Sequence, residues 1–208
     1  MLVEGSDDLR AIPHLLETAG VAWGRKDKPI VKIIQCEGVA TMLAPDFITT
    51  HLKASGLVAL GVIVDADNSA QDRWRTIRER VLDLYSDAPS DMPATGVILR
   101  ATGKPTFGAW IMPDNVNRGM LETFLLFLRP KDNPSLLAYA QEVIQEAKNR
   151  GAPFLEQHQD KAEIHSWLAW QDPPGRQLHN AIMERMLGNK HECIESFVAW
   201  FQALYSQK

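Results

Sequence analysis

The sequence predicts an α/β protein with a mainly parallel sheet flanked by helices, followed by an α-helical C-terminal region. Three observations predict it. Strand-like and helix-like segments alternate through the first half, the order that builds a parallel sheet with right-handed crossovers. Leu57–Val64 is an almost unbroken apolar run, as expected of a central strand covered on both faces. Beyond Pro130 only helical periodicity remains.

Met1–Val3 reads as the end of a buried strand. Ser6–Ala19 follows with Leu9, Ile12, Leu15 and Leu16 at helical spacing. Ser6 or Asp7 is the expected N-cap and Gly20 the stop, while Pro13 predicts a break or a late start. Ile30–Gln35 is a β-branched strand. Gly38–Ser55 is a helix interrupted at Pro45. Asp67-Asn68-Ser69 then caps a helix over Ala70–Tyr85, with Trp74, Ile77, Val81 and Leu84 on its core face. Ser86–Pro93 is a loop, Gly96–Arg100 and Thr106–Met112 are strands joined by a turn, and Gly119–Leu128 is a helix. Pro134–Arg150, Asp160–Trp170, Arg176–Leu187 and His191–Tyr205 complete the chain. The expected division is an α/β domain over 1–128 and a helical region over 129–208. The latter either packs on the sheet or forms a homodimer interface.

With 208 residues and 45% hydrophobic content, there is enough apolar side chain for a substantial core. The net charge of −4 argues against a protein that coats nucleic acid unaided, because such affinity comes from Lys and Arg neutralising phosphates. Cys36 and Cys193 form no CxxC pair, so neither a disulfide framework nor a zinc site is expected. No stretch approaches the roughly 18 apolar residues of a membrane helix, and no signal peptide is seen at Met1-Leu2-Val3-Glu4. A cytoplasmic protein without membrane contact is the expectation.

The chemistry-bearing feature is a set of acids at strand ends. Val3-Glu4-Gly5-Ser6-Asp7-Asp8 ends the first strand, and Asp65-Ala66-Asp67 ends the apolar run. In an open parallel sheet the ligand crevice lies at these carboxyl ends. Mg²⁺ takes a few carboxylate oxygens and is completed by water and phosphate. Asp65 and Asp67, two apart, share one side of an ideal strand and so can reach one cation. Glu4 binds the same ion or accepts a proton from attacking water. Asp8, one turn further, holds a second ion together with Glu122. Asp114 reads as part of a Pro-Asp-Asn turn. None of the six histidines stands in a metal-binding pattern. Trp167, Trp170 and Trp200 read as packing residues. Arg73, Arg75, Arg78 and Arg80, interleaved with Asp72, Glu79 and Asp83, read as a solvated, ion-paired helix face.

A strand ending in Val3-Glu4-Gly5, and a later apolar strand ending in Asp65-Ala66-Asp67, resembles the Toprim domain over roughly residues 1–128. Glu4 with Asp8 matches the ExxxD element of the nucleases of the overcoming-lysogenization-defect (OLD) family. Gly119-Met120-Leu121-Glu122 is similar to their later acidic element. Lys161, in Lys161-Ala162-Glu163-Ile164-His165, falls where they carry a catalytic lysine. Trp110-Ile111-Met112-Pro113-Asp114-Asn115 and Leu168-Ala169-Trp170-Gln171 are similar to segments of small uncharacterised Toprim proteins. The resemblance implies a Toprim/Rossmann-like sheet and a nuclease using one or two Mg²⁺ or Mn²⁺ ions on DNA or RNA. It further implies a role in phage defence or repair beside a separate ATPase, since no P-loop motif is present. A non-catalytic Toprim module recruiting nucleic acid or protein partners is the alternative, and a metal-independent phosphate-binding protein a third.

Overall fold

The structure, a computed structural model, describes residues 1–25, 27–130 and 134–205; residues 131–133 and 206–208 of the expected helical region lie outside them. The described residues form an α/β fold whose five-stranded sheet is mainly parallel, flanked by helices and completed by the C-terminal helices. In chain order the elements are β1 (Leu2–Val3), α1 (Ser6–Thr18), β2 (Gly24–Arg25), β3 (Lys28–Pro29), β4 (Ile34–Gln35), α2 (Val39–Met42), α3 (Phe47–Leu52), β5 (Ala59–Asp65) and α4 (Ala70–Val81). There follow β6 (Val97–Leu99), β7 (Thr106–Met112), α5 (Leu121–Phe127), α6 (Pro134–Asn149), α7 (Gln159–Leu168), α8 (Leu178–Met183) and α9 (Glu192–Tyr205).

The strand order is β4-β1-β5-β7-β6, with β6 antiparallel at one edge. From β1 the chain crosses through α1 to β4 on one side; from β5 it crosses through α4 towards β7 on the other. The direction of winding therefore reverses between β1 and β5, which is where such sheets bind ligands. β1 is only two residues long, yet it pairs on both sides, Leu2 with Ile34 and Val62, Val3 with Gln35 and Ile63. That register brings Glu4 level with the C-terminal end of β5.

Strand alternation divides the core in two. Val3, Ile63, Trp110 and Met112 pack with α1, α5 and α7–α9. Leu2, Leu60, Val62, Val64, Phe107, Ala109 and Ile111 pack with α2–α4. On the first face the C-terminal helix α9 lies on the sheet so closely that a Cβ on Gly108 would come within 2.6 Å of Leu204. Trp200 Nε1 donates to the Val97 carbonyl at 3.0 Å. The Tyr205 hydroxyl accepts from the Gly61 N–H at 2.8 Å, one residue before the pairing of β5 with β1 begins.

Several details depart from the sequence reading. Pro13 lies inside an unbroken α1, where burial of Ala11, Ile12, Leu15 and Leu16 outweighs the lost backbone bond. The strand expected over Ile30–Gln35 is reduced to Ile34–Gln35, and a small antiparallel hairpin, β2–β3, precedes it. The expected interruption at Pro45 falls between α2 and α3, where Asp46 has a left-handed φ of 64°.

Tyr205→Phe removes the hydroxyl that satisfies Gly61 while keeping the ring. We expect a loss of about 1–2 kcal/mol, read as a fall of roughly 2–8 °C in the thermal midpoint for a chain of this size.

Candidate functional site

The acids picked out from sequence lie at the C-terminal ends of β1 and β5 and on the helices that follow. Glu4 leaves β1, and Asp8 lies in the first turn of α1. Asp65 is the last residue of β5. Asp67 lies beyond the strand with φ 50°, its N–H and carbonyl exchanging 2.9 Å hydrogen bonds with Gly119. Glu122 is in the first turn of α5. Because the strand has ended and the backbone has turned left-handed, strand alternation does not set the direction of Asp67.

The contacts divide the acids into two groups. Asp65 Oδ1 accepts from the Leu121 N–H at 2.9 Å, and Asp8 Oδ2 from the Gly5 N–H at 2.9 Å. Asp8 thereby also acts as a helix cap. Glu122, 3% exposed, is paired with Lys161 Nζ at 2.7 Å. Asp67 Oδ2 accepts from Arg73 Nη2 at 2.5 Å, and Arg73 Nε donates to the Asp65 carbonyl at 2.9 Å. Glu4 stands between the groups. Its Oε2 is buried and has no hydrogen-bond partner.

Helix α7 carries Lys161 between two anchored neighbours, Asp160 and Glu163. Asp160 accepts from the Thr123 hydroxyl at 2.5 Å, Lys161 pairs with Glu122, and the buried Glu163 pairs with Arg129. Gln141 Nε2 also donates to Glu163, at 3.2 Å.

Electrostatics follow from this crowding. Burial, then repulsion from Asp67, raises the pKa of Glu4; Arg73 and the backbone amides of Asp65 and Val39 oppose the rise. Burial pushes Asp8 up to about 7, against the Gly5 amide and with help from Glu4, Glu122 and Asp7. Asp65 is raised well above the ordinary carboxylate range by burial and by Asp8, Glu4 and Glu122, with the Leu121 amide opposing. Burial pulls Lys161 down, but its hydrogen bond to Glu122 and the charges of Glu122, Asp7 and Asp65 leave it raised overall.

The family described as Protein of unknown function (DUF3226) matches residues 1–206. The chain belongs to that family. No curated protein and no solved structure gives a significant match. The family description carries no activity, so the chemistry has to be argued from the site.

The donor set is all carboxylate oxygen, the set a hard divalent cation takes. A buried oxygen without a partner, amid mutually repelling acids, fits such a cation. As placed, however, no three His, Cys, Asp or Glu among the described residues could hold one together. The reason is visible in the contacts: Asp8, Asp65, Asp67 and Glu122 are each already engaged by a backbone N–H or a cationic side chain. Binding would require some of these partners to exchange.

Arg73 is the residue at this rim that the sequence did not point to. The solvated-face reading holds for Arg75, paired with Asp72 at the surface. It fails for the other three: Arg78 donates to the Ala88 carbonyl, Arg80 to the Leu43 carbonyl and Arg73 to the acidic site. Asp114 behaves as expected, accepting from the N–H groups of Val116 and Asn117 within its turn. The expected packing role also fits Trp167 and Trp200, which are buried in the core, whereas Trp170 is exposed. Among the described residues no helix is long and apolar enough to cross a membrane.

A carboxyl whose pKa is raised by folding binds a proton more readily in the folded than in the unfolded chain. Stability is then full below the unfolded value of 3.8 for Asp8 and falls as pH rises towards its folded value of about 7. In chelator, the denaturation free energy is expected to decline across this window. Asp8→Asn should flatten that decline and stabilise the metal-free protein at pH 8 by on the order of 1–3 kcal/mol. Denaturant titrations at pH 5 and pH 8 check this; an unchanged slope would contradict the placement of Asp8 among the acids.

Proposed function

We propose that this chain is a metal-dependent phosphodiester-cleaving protein acting on DNA or RNA, with Mg²⁺ or Mn²⁺ held by Glu4, Asp65, Asp67, Asp8 and Glu122. The observation that carries the reading is the buried, partnerless oxygen of Glu4, facing other carboxylates at the winding reversal of the sheet. The backbone amides of Asp65 and Val39 serve this carboxylate, and its Oε2 stays open to a further ligand. When bound, one or two divalent ions would relieve the repulsion among the acids and polarise a phosphate oxygen.

The chain's own groups have distinct tasks. Glu4 has a pKa raised above the ordinary value by burial and then by Asp67, which makes it a stronger base towards an attacking water. Lys161 stays protonated beside Glu122 and is available to hold negative charge developing on phosphate. Asp65 and Asp8, fixed by backbone N–H donors, give the site a rigid rim. With a net charge of −4, productive contact with nucleic acid relies on the metal or on a partner, and a separate ATPase or a second copy of the chain belongs to the same proposal.

One observation favours a second reading, a binding module without chemistry: four of the acids are engaged within the protein. Assays of supercoiled DNA and of RNA with Mn²⁺ or Mg²⁺ separate the two. Cleavage that requires the ion, and that Glu4→Gln or Glu4→Ala lowers by roughly 100-fold or more without lowering the melting temperature, is the expected result. Inactivity with both ions on both substrates, with and without a candidate ATPase, would leave the module.

A further inference from the structure

Arg73 is held in a place that its own helix does not favour. It lies in the first turns of α4, four residues after the Ser69 cap, whose hydroxyl accepts from the Asp72 N–H at 3.1 Å. A cation near a helix N-terminus opposes the dipole. The compensation is the site: Nη2 to Asp67 Oδ2 at 2.5 Å and Nε to the Asp65 carbonyl at 2.9 Å. Both side chains of the pair remain partly open to solvent, 17% for Arg73 and 32% for Asp67.

The carboxylate does not depend on Arg73 for its position. Asp67 is fixed through its backbone by the paired hydrogen bonds with Gly119. Gly119 is in turn confined to glycine, with φ 134° and a would-be Cβ at 2.5 Å from Thr123 Oγ1. Arg73 can therefore leave while Asp67 stays. Glu4 and Asp67 together carry two negative charges against the one guanidinium. A divalent cation on that pair would neutralise it and leave the guanidinium without an anion. A phosphate oxygen is the geometric equivalent of the carboxylate just lost, and the planar guanidinium fork suits both.

Resting on the metal reading above, we propose that Arg73 is a resident counter-cation that competes with the divalent ion for Asp67 and, once displaced, becomes a ligand of the substrate phosphate. Its hold on Asp67 keeps that carboxylate engaged within the protein in the paired state. The exchange couples the two binding events: phosphate arriving with the ion gives the guanidinium somewhere to go, so each favours the other.

The test is calorimetry on chelator-treated, full-length protein with Mn²⁺ alone, then with inorganic phosphate at saturating Mn²⁺. Arg73→Gln should bind Mn²⁺ roughly tenfold more tightly than the unmodified chain and bind phosphate roughly tenfold more weakly. Equal Mn²⁺ affinity in the two, or undiminished phosphate binding in the variant, overturns the proposal and leaves the metal site standing. No Mn²⁺ uptake by either protein overturns the metal reading itself. If Arg73→Gln does not fold, Arg73→Lys carries the test, because an ammonium keeps the charge and loses the fork. Its Mn²⁺ affinity should still rise, and an unchanged value counts against the exchange.

Discussion

The burial of neighbouring carboxylates, and the repulsion this adds among them, is the constraint around which this molecule is arranged. Glu4, Asp8, Asp65 and Glu122 raise or are raised by one another, at a point where the sheet offers little water to screen them. The fold opposes the repulsion with three kinds of group. Backbone N–H donors at Gly5 and Leu121 serve Asp8 and Asp65. Lys161 is delivered by α7 to Glu122. Arg73 is delivered by α4 to Asp67. Helices from opposite faces of the sheet thus each contribute a cation to the same rim.

This arrangement explains features that would otherwise look unrelated. Asp67 adopts a left-handed backbone because its pairing with Gly119 ties the end of β5 to the start of α5. The half-buried Arg129–Glu163 pair, just beyond α5, and the Thr123–Asp160 bond hold α7 against α5, and that attachment brings Lys161 to the acids.

Much of this was legible in the chain. The apolar run ending at Asp65 and the early Glu4 locate the rim because a parallel sheet presents its strand ends on one side. The two-faced core follows from strand alternation, as in Val62 and Val64 against Ile63. Other parts were hidden for physical reasons. Arg73 looks like its neighbours, since Arg and Asp interleave through α4 and only the three-dimensional turn at Asp67 singles it out. The β2–β3 hairpin has two residues per strand, too few for any periodicity. Pro13 reads locally as a helix breaker, and tertiary burial overrides it. The partners of Asp65 and Glu122 are 56 residues away in one case and supplied by another helix in the other, separations that local pattern does not reach.

The docking of α9 bears on how the chain is made. The helix covers the middle of the sheet through Trp200, Leu204 and Tyr205, yet it follows every strand of that sheet in the chain. Until it emerges, one side of β5 and β7 stays uncovered on the nascent polypeptide, the sort of apolar surface that chaperones shield. Lys161 likewise follows in the chain every acid of the rim, so the rim lacks this cation until α7 has been made. Completion of the rim is therefore tied to α7, which is made after the strands and helices that carry the acids.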